Sequence, residues 1–242
     1  MTRPLDGCRV LVTRERPGEL AAKLTERGAT VIHVPLISVA EPSDGGAALN
    51  EALSNLAAFD WLVVTSPAGS ERVADAATAE PGVRLAAVGT ATAGVLERRT
   101  GRPVDLAPAV QRAQALAAAF VAQASSPQRV LIAQADIAAP TVAEELRRAG
   151  HEVTVVTAYR TVRLEPDPAA ISDADAVLFA SGSAVEGWCS VFGTSAPPFV
   201  VAIGPTTAAI AHRFGLKVSA IAADHSLDGL VTALERLLSE SR

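Results

Sequence analysis

The chain has 242 residues, of which 49% are hydrophobic and only 4% aromatic, and its net charge is −5 at pH 7. This length allows two units of about 100–120 residues, each with a core of its own. A core built from Val, Leu, Ile and Ala is typical of α/β proteins, whose strands are buried on both faces. Arg and Lys are scattered, and no run of about 18 apolar residues occurs, so we expect neither a nucleic-acid surface nor a membrane span. The first seven residues lack a hydrophobic export segment, which predicts a cytoplasmic protein.

The first predicted elements are a strand, a helix and a second strand. Residues 8–13 form an apolar strand pattern, and a helix is predicted over residues 17–27, with Gly28 suited to its C-terminal cap. Residues 30–40 are rich in β-branched side chains and predict one long strand. Pro35 lies inside this segment and indicates an edge strand or a segment that leaves the sheet.

A second group of elements occurs twice. Residues 59–66 (FDWLVVTS) align with residues 174–181 (ADAVLFAS), so that Asp60 and Asp175 are 115 positions apart. Residues 88–93 align with residues 203–208 at the same offset, and after a one-residue shift Leu116 aligns with Leu230. An apolar strand that ends in a hydroxyl or a glycine and leads into a helix therefore appears four times.

The first group of elements also recurs. Residues 129–132 begin a second copy, with a helix predicted over residues 141–149 and a long strand over residues 151–164, and Gly28 then corresponds to Gly150. Alternating strands and helices predict an α/β fold of two similar lobes, each a parallel sheet flanked by helices. We predict a discontinuous outer lobe (1–36 and 164–242), an inserted lobe (41–157), and two antiparallel linker strands (37–40 and 158–163). A cleft between the lobes is the expected ligand site.

Four segments that follow predicted strands are candidate ligand sites. They are Thr65-Ser66, Gly89-Thr90-Ala91-Thr92, Ser181-Gly182-Ser183 and Gly204-Pro205-Thr206-Thr207. Hydroxyl groups and free N–H groups at helix starts bind carboxylates or phosphates without many Lys or Arg residues. The alternative is that these Ser and Thr residues only cap their helices.

Three further side chains are candidates for the site. Tyr159 is the only tyrosine of the chain and lies in the second linker strand, where its phenol can donate a proton or a hydrogen bond. Packing against the linker is an equally good interpretation of Tyr159. Arg14 and Arg160 are able to bind carboxylates, although solvated arginines beside a strand are equally common.

Several kinds of site are not predicted. Cys8 and Cys189 each lie in an apolar segment, which indicates buried free thiols rather than a disulfide. The four histidines have no metal-ligand spacing, so no metal site is expected. No GxGxxG follows a strand, and neither a phosphate-binding GxxxxGK[ST] nor a GxSxG occurs, so no nucleotide cofactor and no serine-hydrolase site are expected.

Four segments, in this order and spacing, resemble the uroporphyrinogen-III synthase family over about residues 8–238. They are residues 10–14 (VLVTR), 59–66 (FDWLVVTS), 158–161 (AYRT) and 202–208 (AIGPTTA). The resemblance implies a lyase that converts the linear tetrapyrrole hydroxymethylbilane to uroporphyrinogen III, with ring D inverted, in a cleft between two lobes and without metal or cofactor. It also implies a transient contact with the deaminase that makes the substrate, and we expect a monomer.

The resemblance also implies roles for individual residues. Tyr159 would assist departure of the substrate hydroxyl. Side-chain carboxylates of the substrate would be bound by Ser181, Thr206 and Thr207, and by Ser66 from the inserted lobe. With the candidates from the sequence pattern, the predicted substrate-binding set is Arg14, Ser66, Ser181, Ser183, Gly204, Thr206 and Thr207. The chain departs from the family at Gln134-Ala135, where an Arg-Gly pair is frequent, and at residues 180–183 (ASGS), where Thr-Ser-Pro-Ser is frequent.

Two other functions fit the same pattern. One is a non-catalytic module that senses a tetrapyrrole or another polyanion. In some bacterial proteins such a module is fused to a DNA-binding domain, but nothing basic or helix-turn-helix-like follows Leu238. The other is a two-lobed sugar- or amino-acid-binding protein, but such proteins are exported and no signal segment is visible. Retention of Tyr159 and Thr207 favours the enzyme over both.

Overall fold

The structure is a computed structural model that describes residues 3–240. Strands and helices alternate along most of this range, with two short 3₁₀ helices at Leu56–Ala58 and Pro168–Ile171. The elements in chain order are β1 (Arg9–Val12), α1 (Gly18–Glu26), β2 (Thr30–His33), β3 (Ile37–Ala40), α2 (Ala47–Ser54), β4 (Trp61–Val64), α3 (Pro67–Ala79), β5 (Arg84–Ala87), α4 (Thr90–Thr100), α5 (Ala113–Gln123), β6 (Arg129–Ala135), α6 (Thr141–Arg148), β7 (Glu152–Arg163), β8 (Ala176–Phe179), α7 (Gly182–Phe192), β9 (Phe199–Ala202), α8 (Pro205–Arg213), β10 (Ala220–Ile221) and α9 (Leu227–Glu240).

The chain divides into two compact units. Unit 1 consists of residues 1–38 and 162–242, and unit 2 of residues 39–161. The chain leaves unit 1 within β3 and returns to it within β7. The outermost residues of the predicted outer lobe, 1–2 and 241–242, lie outside the described residues.

Unit 1 is built on a parallel sheet with strand order β10-β9-β8-β1-β2. Successive side chains of a strand point to opposite faces, and β1 shows how both faces are covered. Val10 and Val12 pack with buried residues of α1 and α9, whereas Leu11 packs with buried residues of α7 and α8. The prediction of a parallel sheet with helices on its faces is confirmed for this unit.

Unit 2 has the same architecture around β4. Its sheet has the order β3-β7-β6-β4-β5, and the pairs β7–β6, β6–β4 and β4–β5 are parallel. Leu62 and Val64 pack with α3 and α4, and Trp61 and Val63 pack with α5 and α6. All four residues of β4 are buried, which explains why this strand is apolar throughout rather than alternating.

The sequence repeat appears as a shared strand order. Matching β6 to β1, β7 to β2, β4 to β8 and β5 to β9 gives both sheets the common order 2-1-3-4. In unit 1 the fifth strand is β10, whereas unit 2 has β3 next to β7 at its other edge. The place of β10 is taken in unit 2 by Leu106, which forms a parallel bridge with Ala86. One folding unit therefore occurs twice, with the chain entering it at different points.

The prediction of one long strand over residues 30–40 is wrong. The chain forms β2 up to His33 and β3 from Ile37, with a break around Pro35. A proline has no N–H group to donate to a neighbouring strand, so the pairing stops there. The other inference from Pro35 is correct, because β2 is an edge strand of the unit 1 sheet. The second long strand is confirmed as β7, which runs unbroken from Glu152 to Arg163.

No disulfide joins Cys8 and Cys189, as predicted. Cys8 is buried, but Cys189 is only partly buried, so the expectation of burial holds for one of the two. Burial nevertheless raises the pKa of the Cys189 thiol, because the thiolate is poorly solvated there.

Candidate functional site

Each sheet has a point where the strand order reverses. It lies between β1 and β8 in unit 1 and between β6 and β4 in unit 2. In open parallel sheets, ligands bind at the carboxyl ends of the strands beside this point. Arg14 and Ser181 follow β1 and β8, and Ser66 follows β4, so three of the predicted residues lie at these positions.

Ser66 is the N-cap residue of α3. Its backbone is extended, Pro67 occupies the first helical position, and its Oγ accepts a hydrogen bond from the backbone N–H of Gly69 at 3.1 Å. Capping is therefore one role of this serine, as the alternative interpretation predicts.

A second hydrogen bond joins Ser66 to Tyr159. The phenol of Tyr159 donates to Ser66 Oγ at an O···O distance of 2.9 Å. Tyr159 is 8% exposed and belongs to the core beneath α3 and α4. The structure thus brings together two residues that are 93 positions apart in the sequence and that we predicted for separate roles.

A strand irregularity directs the Tyr159 side chain toward Ser66. Gln134 pairs with Thr157 but Ala135 pairs with Tyr159, so β7 contains one extra residue, Ala158, at this point. Neighbouring residues of a regular strand face opposite ways, but Ala158 and Tyr159 both pack into the same core. Such a bulge commonly re-aims a side chain near a functional site.

Gly69 leaves the room that the Tyr159–Ser66 pair occupies. A Cβ atom at Gly69 would lie 3.2 Å from Ser66 Oγ, 3.4 Å from the carbonyl oxygen of Ala133 and 4.0 Å from Cε1 of Tyr159. Any side chain would therefore crowd the serine hydroxyl. Ser66 Oγ already accepts two hydrogen bonds, and none of the described residues accepts its own hydrogen. A hydroxyl has one hydrogen to donate, so Ser66 can still donate to a ligand.

The start of α4 is occupied by a side chain of the protein itself. Gln111 Oε1 accepts hydrogen bonds from the N–H of Thr90 at 3.2 Å and from its hydroxyl at 3.4 Å. The glutamine also covers Gly89, where an added Cβ would lie 2.5 Å from Oε1. The prediction that this helix start offers free N–H groups to a ligand is therefore wrong at Thr90.

The start of α7 carries a pair of exposed hydroxyls. Ser181 caps the helix by accepting from the N–H of Ala184 at 3.2 Å, and its Oγ shares a hydrogen bond with Ser183 Oγ at 3.0 Å. Both serines are exposed. The pair can still exchange its mutual hydrogen bond for bonds to a ligand.

The start of α8 has free backbone donors. Gly204 precedes the helix in an extended conformation and provides no side-chain cap. The N–H of Ala208 is bonded to the carbonyl of Gly204, but the N–H groups of Thr206 and Thr207 have no acceptor among residues 3–240. Thr206 is exposed, whereas Thr207 is only 5% exposed. The ring of His225 lies over Gly204, with Nε2 3.3 Å from where a Cβ would be.

The two arginine candidates differ. Arg14 is exposed, its guanidinium has no partner within the described part of the chain, and its carbonyl oxygen lies 2.8 Å from Nε2 of His33. Arg160 instead donates from Nε to the carbonyl oxygen of Glu41 at 2.8 Å. Arg14 is therefore available to a carboxylate, and Arg160 holds the chain after β3.

Three residues of these sites were missed from the sequence, namely Gly69, Gln111 and His225. A signal for two of them exists, because Gln111 and His225 are 114 positions apart, as Leu116 and Leu230 are. Residue Gln134, where the chain departs from the family pattern, is 9% exposed. Across residues 3–240, no group of His, Cys, Asp and Glu side chains is placed to hold a metal ion. None of the described helices is both long enough and apolar enough to cross a bilayer.

Comparison with known sequences gives a consistent family. Residues 18–232 match the family model described as uroporphyrinogen-III synthase HemD. A uroporphyrinogen-III synthase of Synechococcus elongatus is 29% identical over 97% of this chain and 97% of its own length. A chloroplastic uroporphyrinogen-III synthase of Oryza sativa subsp. japonica is also 29% identical, over 93% of this chain and 79% of its own length.

Two solved structures share the fold. A mutant uroporphyrinogen III synthase of Thermus thermophilus superposes with a TM-score of 0.62 at 19% identity and covers 97% of this chain and 100% of its own. A uroporphyrinogen-III synthetase of Helicobacter pylori gives a TM-score of 0.62 at 14% identity, covering 97% of this chain and 99% of its own. At these identities the likeness concerns the fold alone.

Proposed function

Because the chain belongs to the uroporphyrinogen-III synthase family, we propose that it cyclises hydroxymethylbilane to uroporphyrinogen III with loss of one water and inversion of ring D. The observation that carries this proposal is the family match over residues 18–232. The hydroxyl pair of Tyr159 and Ser66 and the free donors of α8 support it, because they suit a polyanionic substrate that must lose a hydroxyl group.

The reaction needs little from the protein beyond proton donation and a fixed conformation. The terminal C–O bond breaks, and the hydroxyl takes up a proton and leaves as water, so that an azafulvene cation remains. The substituted carbon of ring D attacks this cation to form a spiro intermediate, which fragments and closes again at the other carbon. A ring proton is lost at the end and balances the proton taken up. The enzyme is therefore a lyase, and the pyrroles supply the electrons.

Tyr159 and Ser66 would assist departure of the hydroxyl as a pair. Tyr159 donates into Ser66 Oγ, which polarises the serine O–H, and the free hydrogen of Ser66 donates to the departing oxygen. In this arrangement Tyr159 acts through Ser66, which agrees with the burial of its ring. A positioned hydrogen bond that strengthens as charge develops on the leaving oxygen lowers the barrier to the chemical step.

The carboxylates of the substrate would be bound mainly by neutral donors. The net charge of −5 provides no overall attraction for a substrate with eight carboxylates, so local groups have to bind them. The free N–H groups of Thr206 and Thr207 at the start of α8 are such donors, and the helix dipole favours an anion there. The hydroxyls of Ser181 and Ser183 and the guanidinium of Arg14 lie after the neighbouring strands β8 and β1 of the same sheet.

The test is the isomer of the product. Hydroxymethylbilane closes spontaneously to uroporphyrinogen I, so the substrate is generated in the cuvette by a deaminase, and the oxidised porphyrins are separated by chromatography. Predominant isomer III is expected. Isomer I alone, from protein with an intact circular dichroism spectrum, would refute the synthase and leave a non-catalytic tetrapyrrole-binding module.

The lability of the substrate also bears on partners. We propose that the protein acts in the cytoplasm as a monomer that receives hydroxymethylbilane through a transient contact with the deaminase, because a short transfer time limits spontaneous closure. Light scattering after size exclusion tests the monomer. A fraction of isomer III above the one that the separately measured rates predict for a freely diffusing substrate would support direct transfer.

A further inference from the structure

The two units carry different side chains at one position of the repeat. Gln111 and His225 correspond to each other, and each lies two residues before the first residue of the last helix of its repeat, α5 or α9. Each also lies over the glycine that precedes α4 or α8. An added Cβ would lie 2.5 Å from Gln111 Oε1 at Gly89, and 3.3 Å from His225 Nε2 at Gly204. Residues 111 and 225 thus face equivalent helix starts.

Gln111 closes the helix start of unit 2. Its amide oxygen accepts from the N–H and from the hydroxyl of Thr90, which are the groups that an anionic ligand would need. A carboxylate could bind there only by displacing the glutamine, and the two acceptors would compete for the same donors.

His225 leaves the helix start of unit 1 open. Its ring makes no hydrogen bond to α8, and the N–H groups of Thr206 and Thr207 have no acceptor within residues 3–240. The side chain of Thr207 is 5% exposed and also makes no hydrogen bond with the described residues. Side chains of a helix tilt toward its N-terminus, which is the end at which these free N–H groups lie. Thr207 Oγ1 is not among the described side-chain atoms that are both fully buried and without a hydrogen bond, so this oxygen is still accessible and can bind a ligand oxygen.

The turn that carries His225 is well anchored. Ser226 Oγ donates to Asp224 Oδ2 at 2.5 Å and accepts from the N–H of Gly229 at 3.0 Å. Gly229 packs so closely on this turn that an added Cβ would lie 2.0 Å from the carbonyl oxygen of Asp224. The carboxylate of Asp224 is thereby bonded to Ser226. An imidazole carries an N–H in every protonation state, so His225 can donate to a carboxylate.

We propose that His225 is a specificity-determining residue of the synthase, which binds one substrate carboxylate together with the N–H groups of Thr206 and Thr207, while Gln111 keeps the equivalent position of unit 2 closed. The inference rests on the proposed function, because the carboxylate is one of those carried by hydroxymethylbilane. It gives a reason why the two copies of the repeat carry different side chains at this position.

The experiment compares His225→Gln with His225→Ala. The first variant places a glutamine amide oxygen at the open start of α8, as Gln111 does at the start of α4. It therefore removes the imidazole donor and adds an acceptor that competes with the ligand for the N–H groups. The second only removes the donor. We expect KM for hydroxymethylbilane to rise about tenfold in His225→Gln and about threefold in His225→Ala, with kcat unchanged in both. Gln111→Ala is the matched control, and its KM is expected to stay within about twofold of wild type.

Binding of uroporphyrin III, measured by fluorescence titration, is a second readout that needs no turnover. We expect the affinity for uroporphyrin III to be highest in wild type, lower in His225→Ala and lowest in His225→Gln. Wild-type affinity in both variants, or weaker binding in His225→Ala than in His225→Gln, would overturn the inference, since the latter order indicates lost packing. If the wild type yields isomer I alone, the proposed function falls, and the uroporphyrin III titration still decides the role of His225.

Discussion

Removing the phenol oxygen of Tyr159 tests the pair at the start of α3 most directly. Tyr159→Phe keeps the ring in its core position and deletes the donor 2.9 Å from Ser66 Oγ. Ser66 still accepts from the N–H of Gly69, so no polar group of the serine is stranded, and the variant should lose only about 1 kcal/mol of stability. For a chain of this size that corresponds to a melting temperature about 2–4 °C lower.

The kinetic effect should be much larger than the effect on stability. Hydrogen bonds to charged groups contribute about 1.5–3 kcal/mol, and the bond from Ser66 to the leaving oxygen becomes one in the transition state. About 10- to 150-fold in kcat is therefore the loss expected for Ser66→Ala and the upper limit for Tyr159→Phe. Because Tyr159 acts through Ser66, Ser66→Ala should lower kcat at least as much as Tyr159→Phe. The double variant should then be no slower than Ser66→Ala, because residues that act in series are not additive.

The assay is initial formation of uroporphyrinogen III, corrected for spontaneous isomer I, with KM and kcat determined separately. Circular dichroism melting curves provide the control for folding. Full activity of Tyr159→Phe would remove Tyr159 from the mechanism. Multiplicative effects of the two substitutions in the double variant would instead contradict the serial arrangement and indicate that each hydroxyl contacts the substrate independently.

Three further substitutions test other parts of the structure. Thr207→Val should raise KM about tenfold, and Thr207→Ser should have the KM of wild type, because serine keeps the hydroxyl. Equal KM values for both variants and wild type would exclude a contact between this hydroxyl and the substrate. Gly69→Ala increases the helix propensity of α3 but places a Cβ 3.2 Å from Ser66 Oγ, so we expect kcat to fall without a drop in melting temperature. An unchanged kcat would show that the Tyr159–Ser66 pair tolerates the added methyl group. Asp44 accepts hydrogen bonds from the N–H groups of Ala48 and Gly46, and these bonds lower the pKa of its carboxyl group. The ionised carboxylate therefore stabilises the fold above pH about 4, and this stabilisation is lost as the pH falls through the lowered pKa. Asp44→Ala should therefore melt below wild type at pH 7 and converge with it in acid, and a difference that persists at pH about 2 would contradict this.

Much of the fold could be predicted because a strand that is buried on both faces has a continuous run of apolar residues in the sequence. The four residues of β4 are apolar without interruption, and both faces of that strand are indeed covered by helices. The repeat predicts two similar sheets, and four matched strands have the same order in both. The resemblance to the family is confirmed by the match over residues 18–232. The break near Pro35 could not be located by pattern, because β-branched residues continue on both sides of it.

The candidate site was harder to predict, because its contacts depend on details that periodicity does not contain. A one-residue bulge at Ala158 decides that Tyr159 reaches Ser66, and nothing in the alternation of β7 marks that position. Gln111 and His225 lie in loops, where the chain path is set by packing rather than by a repeating pattern. The roles of Tyr159, Arg14 and the Ser and Thr residues remain predictions until the variants are measured.

The two units share a strand order, but the chain builds their strands in a different sequence, and this difference has a consequence for biosynthesis. Every strand of the unit 2 sheet, from β3 to β7, comes from one continuous stretch, so this sheet can be completed as soon as that stretch has been made. In unit 1, Val10 of β1 pairs with Ala176 of β8, which is synthesised 166 residues later. Closing such a long loop is slow, and the first strands have to wait for their neighbours. We therefore expect the inserted half to fold on the ribosome while β1 still lacks its neighbour β8, which makes the β1–β2 segment the part of the chain most exposed to aggregation and to chaperones.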